Sequence, residues 1–199
     1  MLKIALTGGI ASGKTLASKT LESMGACIID ADIVSREVAS SNECKELLKR
    51  AFGAEFFNED GELNRRKLRE YVFAEPQRVK LLNSITHPLI RRRIEEKLKE
   101  LSHLPVVFVV IPVLIESGMI DMFDRVWTIA SDPKTRIKRL IRRDNITEEQ
   151  AYNMLKSQVS EEERVKIADV VIHNDGDENE FVQQVKNHYR DLMRELGIT

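Results

Sequence analysis

Five short and nearly continuous apolar runs are spaced along the chain: Leu2-Lys-Ile-Ala-Leu6, Cys27-Ile-Ile29, Val106 to Ile111, Val126-Trp-Thr-Ile-Ala130 and Val170-Val-Ile172. A strand with one wet face alternates apolar and polar residues, whereas runs of this kind suit strands covered on both faces. That predicts an α/β fold, a parallel sheet flanked by crossover helices. The first run ends at Thr7-Gly8-Gly9 and gives way to a helix predicted from near Lys14, with Leu16, Ala17 and Leu21 at helical spacing and Gly25 as its stop. The second run ends in Asp30-Ala-Asp32, and a further helix is predicted from near Ile33. Trp127 reads as a core residue of the fourth strand.

The spacing between runs is uneven. The stretch from 33 to 104 is mainly helical in pattern and far longer than one crossover needs, which predicts an inserted helical lobe. Within it Asn58-Glu-Asp-Gly61 reads as a turn and Asn64 as the cap of a helix through Tyr71. Glu75-Pro76 opens a long helix expected to be interrupted at His87-Pro88, after which Ile90, Ile94, Leu98 and Leu101 form a core-facing stripe. A second insertion, 136–166, is polar, charged and helical in period, and reads as a mobile lid. The expected division is a single domain with a core of 1–34, 104–135 and 167–199, a lobe of 35–103 and a lid of 136–166. No internal repeat or low-complexity tract is visible.

Composition narrows the class. One compact domain is the natural prior for 199 residues, of which 42% are apolar and 32% charged. A net charge of -1 argues against a dedicated nucleic-acid binder, which needs an excess of Lys and Arg on one face. No apolar run reaches the roughly 18 residues of a membrane span, and Met1 leads into the first run with no secretory leader, so a cytoplasmic protein acting without a membrane is expected. A monomer or small homo-oligomer is expected. Cys27 and Cys44 have no CxxC or metal-ligand spacing and read as reduced structural thiols.

The chemistry enters with Gly8-Gly-Ile-Ala-Ser-Gly13-Lys14-Thr15, a full match to GxxxxGK(S/T) between a predicted strand and a predicted helix. Glycines let the backbone wrap a phosphate, and the helix N-terminus adds partial positive charge there. Lys14 is expected to reach the β- and γ-phosphates, and the Thr15 hydroxyl to ligate Mg²⁺. The guanine motif Asn-Lys-x-Asp is absent from the sequence, and no apolar strand runs into the Asp-x-x-Gly of a switch GTPase. ATP is therefore the expected nucleotide, and a small-molecule kinase the expected activity. The competing readings are a kinase for another metabolite or nucleotide and, from a different class, a nucleotide-binding switch without an acceptor.

A kinase also needs a group that orients and deprotonates the attacking hydroxyl, and cations for the transferring phosphoryl group. Asp30 and Asp32 follow the second strand at the edge where open α/β sheets bind ligands. Strand alternation would send both toward the phosphate loop if the first two strands are neighbours. Capping the following helix is the competing role for either carboxylate. In the lid, Arg136, Lys138, Arg139, Arg142 and Arg143 crowd one stretch, with 136, 139 and 143 on one face. They form either phosphate forks or a solvated face. Arg91-Arg-Arg93 reads as a solvated face paired with Glu95 and Glu96. His87 reads as a turn or cap residue, and Glu116 as either a ligand-edge or a surface-loop residue.

Taken together, Leu6-Thr-Gly-Gly-Ile-Ala-Ser-Gly-Lys-Thr15, Ile29-Asp-Ala-Asp-Ile33, Gly61-Glu-Leu-Asn-Arg65, Asn83-Ser-Ile-Thr-His-Pro88, Ile111-Pro-Val-Leu-Ile-Glu116 and Ala168-Asp-Val-Val-Ile-His-Asn-Asp-Gly176 resemble the dephospho-CoA kinase family over nearly the whole chain. The resemblance implies a P-loop kinase fold with a five-stranded parallel core, a substrate lobe and a lid. It implies ATP- and Mg²⁺-dependent phosphorylation of the 3′-hydroxyl of dephospho-CoA, the last step of coenzyme A synthesis. It places the ATP phosphates on Ala11, Ser12, Gly13, Lys14, Thr15 and Leu16, the base at Asp32, a phosphate-binding arginine at Arg139, and an adenine-side role on Asn174-Asp-Gly176. Arg65 and His87 become acceptor-lobe residues. Two positions depart from the family pattern: Ala11 stands where glycine is usual and Val113 where leucine is usual.

Overall fold

The computed structural model describes residues 1–198. The described residues fall into two compact units, one of Met1–Ile29 with the chain from Leu101 onward, the other of Asp30–Glu100.

The first unit is built on a parallel sheet of β1 (Leu2–Gly8), β2 (Cys27–Asp30), β3 (Val106–Val110), β4 (Arg125–Ala130) and β5 (Val170–His173), in the order β2-β3-β1-β4-β5. All five apolar runs are strands. β1 extends two residues past its apolar run because Thr7 and Gly8 keep pairing, opposite Thr128 and Ile129 of β4. β3 separates β1 from β2, so the adjacency assumed for the aspartates does not hold. Periodicity identifies strands but carries no record of their neighbours.

One face of the sheet presents Ile4, Leu6, Phe108, Trp127, Ile129 and Ile172 to α1 (Lys14–Ser23) and α9 (Glu178–Glu195). Those helices answer with Ala17 and Leu21, and with Phe181, Val185, Tyr189 and Leu192. Trp127 is in the core as expected, edge-to-face with Phe108 at 5.1 Å between centroids. Past β4 the chain forms α6 (Pro133–Asp144), α7 (Glu148–Lys156) and α8 (Glu161–Lys166), with α8 lying against β4.

The second unit is helical: α2 (Ala31–Ser40), α3 (Asn42–Phe52), α4 (Arg65–Phe73) and α5 (Pro76–Glu100). Asn64 caps α4 as its sequence position suggests, its side chain accepting from the Lys67 N–H at 3.0 Å. Asn58 to Gly61 makes the expected turn, closed by Phe57 pairing with Leu63. The break expected at His87-Pro88 is absent, for α5 runs unbroken through Pro88. A proline inside a helix costs about 3 kcal/mol, and packing of α5 along α2, α3 and α4 outweighs it. Its buried stripe is Leu89, Ile94 and Leu98, with Ile90 only half-buried and Leu101 beyond the helix end. The basic run pairs within the helix (Arg91 with Glu95, Arg93 with Glu96) and across it to Glu37 and Glu43. No helix among the described residues is long and apolar enough to cross a membrane.

Candidate active site

The site in the first unit is the loop between β1 and α1. Gly13, at φ 109°, occupies the N-cap of α1, and no side chain caps that helix. A glycine brings no side chain to the helix end, and the partial positive charge of that end lies at the loop. An anion of phosphate type is the natural partner.

The loop's carbonyl groups are held by side chains. Lys14 Nζ donates to the Gly8 and Gly9 oxygens at 2.7 and 2.9 Å. Arg136 Nε donates to Ile10 O at 2.9 Å, Arg139 Nη1 to Ala11 O at 3.4 Å, and Asn174 Nδ2 to Ser12 O at 2.7 Å. Five consecutive carbonyls, Gly8 to Ser12, each receive a side-chain donor. Ala11 has φ 59°, in the left-handed region that costs a non-glycine residue about 1–2 kcal/mol. The Ile10 N–H donates to Gln158 Oε1 at 2.8 Å.

The arginines of α6 and α8 therefore differ in their surroundings. Arg136 is 4% exposed, against the solvated-face reading, and its Nη1 donates to Glu161 at 3.2 Å and its Nη2 to Gln158 at 3.3 Å. Burial pushes Arg136 below the usual arginine range, and Glu161 opposes that shift. Arg139 is half-buried and also reaches Ser131 Oγ and Asn174 Oδ1. Lys138, Arg142 and Arg143 are exposed, Arg143 pairing with Asp144. Arg164 is 2% exposed, 3.5 Å from Glu161 and 3.8 Å from Glu116, with no hydrogen-bond partner for either terminal nitrogen. Glu116 accepts from the Val159 N–H at 3.2 Å, so it ties the loop after β3 to the segment before α8.

The ends of β4 and β5 are joined behind the loop. Ser131 Oγ donates to Asn174 O, and the Asp132 N–H to Asp175 Oδ1. Asp132 caps α6 through the Thr135 N–H, and hydrogen bonding from the Thr135 side chain and then its N–H holds the Asp132 carboxyl at about 2, below the ordinary 3.8. The Asn174 side chain is buried and donates to the Ser12 carbonyl. Gly176 is exposed.

In the second unit Asp30 is the cap of α2: its Oδ1 accepts from the Asp32 and Ile33 N–H groups at 2.8 and 3.3 Å. The helix starts at Ala31, two residues before the expected position, so strand alternation does not govern Asp32. Asp32 lies exposed in the first turn of α2. Arg65 donates to Ser40 Oγ at 2.8 Å and to the Arg36 carbonyl at 3.4 Å, joining α4 to the end of α2. His87 is half-buried within α5, and burial pushes its pKa below 6.5, which favours the neutral imidazole.

Thr15 is exposed in the first turn of α1. A hydroxyl at a phosphate loop suits Mg²⁺, which takes oxygen ligands and usually keeps substrate phosphates and waters in its shell. Among the described residues no group of three carboxylates, imidazoles or thiols could hold a metal. The Thr15 hydroxyl would supply such an ion with one oxygen ligand. Sequence reasoning missed Gln158, Glu161 and Arg164. Polar residues in a polar segment give no signal before the fold buries them.

The family model described as dephospho-CoA kinase matches residues 2–180. A dephospho-CoA kinase from Geobacter metallireducens is 40% identical over 188 residues, covering 93% of this chain and 94% of that protein. One from Carboxydothermus hydrogenoformans is 38% identical over 176 residues, covering 87% and 85%. The solved structure of dephospho-CoA kinase from Campylobacter jejuni superposes with a TM-score of 0.75 at 27% identity, covering 97% of this chain and 98% of that one.

Proposed function

The chain belongs to the dephospho-CoA kinase family, and on that premise we propose that it carries the γ-phosphoryl group of ATP to the ribose 3′-hydroxyl of dephospho-CoA, giving CoA and ADP. It is a kinase of coenzyme A biosynthesis and uses a nucleotide as phosphoryl donor. The observation that carries the detailed reading is the uncapped N-terminus of α1 beneath a loop with every carbonyl from Gly8 to Ser12 held by a side chain.

The α1 N–H groups and Lys14 receive the β- and γ-phosphates, and Arg139 adds charge at the transferring group. Thr15 would hold Mg²⁺, which would neutralise charge on the phosphate oxygens. Asp32 orients the 3′-hydroxyl and accepts its proton. Support for Asp32 over Asp30 comes from the capping bonds, which assign the helix cap to Asp30. Arg65 and His87 belong to the acceptor side, His87 as a neutral donor or acceptor, and the Asn174-Asp-Gly176 loop borders the adenine. The protein works in the cytoplasm on a small molecule.

Two measurements test this. Asp32→Asn should leave ATP affinity nearly intact and lower turnover by about two or more decades; near-normal turnover rules out the base assignment. Phosphorus NMR of the product should show a new 3′-phosphomonoester, and a phosphate at any other position contradicts the acceptor geometry.

A further inference from the structure

Phosphate loops bind through N–H groups, yet the most heavily restrained groups of this loop are its carbonyls. Turning a peptide's carbonyl one way turns its N–H the other, so a donor that holds a carbonyl fixes the direction of the next residue's amide. The restraint is concentrated around Ala11, whose φ of 59° is unfavourable for a residue with a side chain. Left alone, that peptide unit would relax out of the left-handed region and take its neighbours' amides with it. Arg136 holds the carbonyl just before it, at Ile10, and Arg139 holds the Ala11 carbonyl itself.

We propose that Arg136 is a positioning residue for phosphate binding: through the Ile10 carbonyl it keeps the strained Ala11 turn in place and so aims the Ala11 amide, which shares that peptide unit, at the β-phosphate. The inference rests on reading residues 8–15 as the phosphate loop. Arg136 is poorly disposed to be a phosphate ligand itself. It is 4% exposed, and its three nitrogens donate to Ile10, Glu161 and Gln158. Gly9 is closed over it, since a methyl group there would lie 2.2 Å from Nη2. Glu161 Oε2 is shared by Arg136 and Arg164, and Glu116 lies beyond Arg164, so a chain of alternating charge, with both arginines buried and the carboxylates nearer the surface, keeps the guanidinium in place. Gln158 completes the grip by accepting from the Ile10 N–H, so both backbone polar groups of Ile10 are held by lid side chains.

The test is calorimetric titration with ADP and with AMP, which lacks the β-phosphate. Wild type, Arg136→Met, Ala11→Gly and the double variant form a cycle. Arg136→Met should weaken ADP about tenfold or more while AMP changes by less than about threefold. Ala11→Gly removes the strain that Arg136 resists, so it should regain at least about threefold more ADP affinity in the Arg136→Met background than it changes in wild type. Wild-type ADP affinity in Arg136→Met, a parallel fall in ADP and AMP, or an equal Ala11→Gly effect in both backgrounds overturns the proposal. Should Arg136→Met not fold, Gln158→Ala at its half-buried position replaces it, with the same selective ADP loss expected and a parallel loss overturning the idea. Lys14→Ala separates the two levels: intact ADP binding there defeats the phosphate-loop reading. Lost binding there with an indifferent Arg136→Met defeats this inference alone.

Discussion

At Gly13, where φ is 109°, an added methyl group would lie 2.1 Å from Asn174 Nδ2, the donor that holds the Ser12 carbonyl. At Gly9 it would lie 2.2 Å from Arg136 Nη2. The first position is a motif glycine, demanded by helix entry and phosphate approach. The second falls at a variable position of the motif, and its reason is a guanidinium whose Nε bonds the next residue's carbonyl across 126 positions of chain. Gly9→Ala should therefore destabilise the protein by about 1–3 kcal/mol, the cost of forcing atoms into a packed site. Urea unfolding measures it, and an unchanged midpoint contradicts the packing described. Lys14 and Thr15 were legible from the sequence because the motif fixes their spacing. Asn174 was legible only as a site residue, since its bond to Ser12 exists only once β5 ends beside the loop.

The helix caps tie sequence to structure most directly. Asn64 and Gly25 were readable because their short-range chemistry is local, and the break at Pro88 was misread because the packing that overrides it is not. Pro88 is exposed and its missing N–H leaves the Ser84 carbonyl without the usual helical donor. Pro88→Ala should raise stability by about 2 kcal/mol, the helical gain of about 3 less up to about 1 for the freer unfolded chain. Lower stability in urea melts would show that the proline is needed for the helix's packing. At the start of α6, Asp132 is held at about 2 rather than 3.8, chiefly by its bonding to Thr135. A carboxylate depressed in this way stabilises the fold fully above about 3.8, and the contribution is lost as pH falls through about 2. Asp132→Asn keeps a good cap but removes the charge. Its melting temperature should lie below wild type at pH 6, and the gap should close as pH drops below 3.8. A gap independent of pH contradicts the role of the charge.

For the whole molecule, the five apolar runs announced the sheet and the uneven spacing announced the inserted helices, because burial on both faces and crossover length are written into the pattern itself. Strand order was not, as the separation of β1 from β2 by β3 shows. Nor does any periodicity describe an acceptor: the loop predicts a nucleotide phosphate, while dephospho-CoA enters through the family's motifs and relatives. That makes the acceptor the central claim. Its most direct test is ADP formation by the purified protein with ATP and Mg²⁺, with dephospho-CoA or each nucleoside monophosphate added in turn. Dephospho-CoA alone should raise the rate far above ATP by itself, with CoA formed in equal amount to ADP; equal stimulation by a nucleoside monophosphate, or hydrolysis indifferent to any acceptor, would contradict the account.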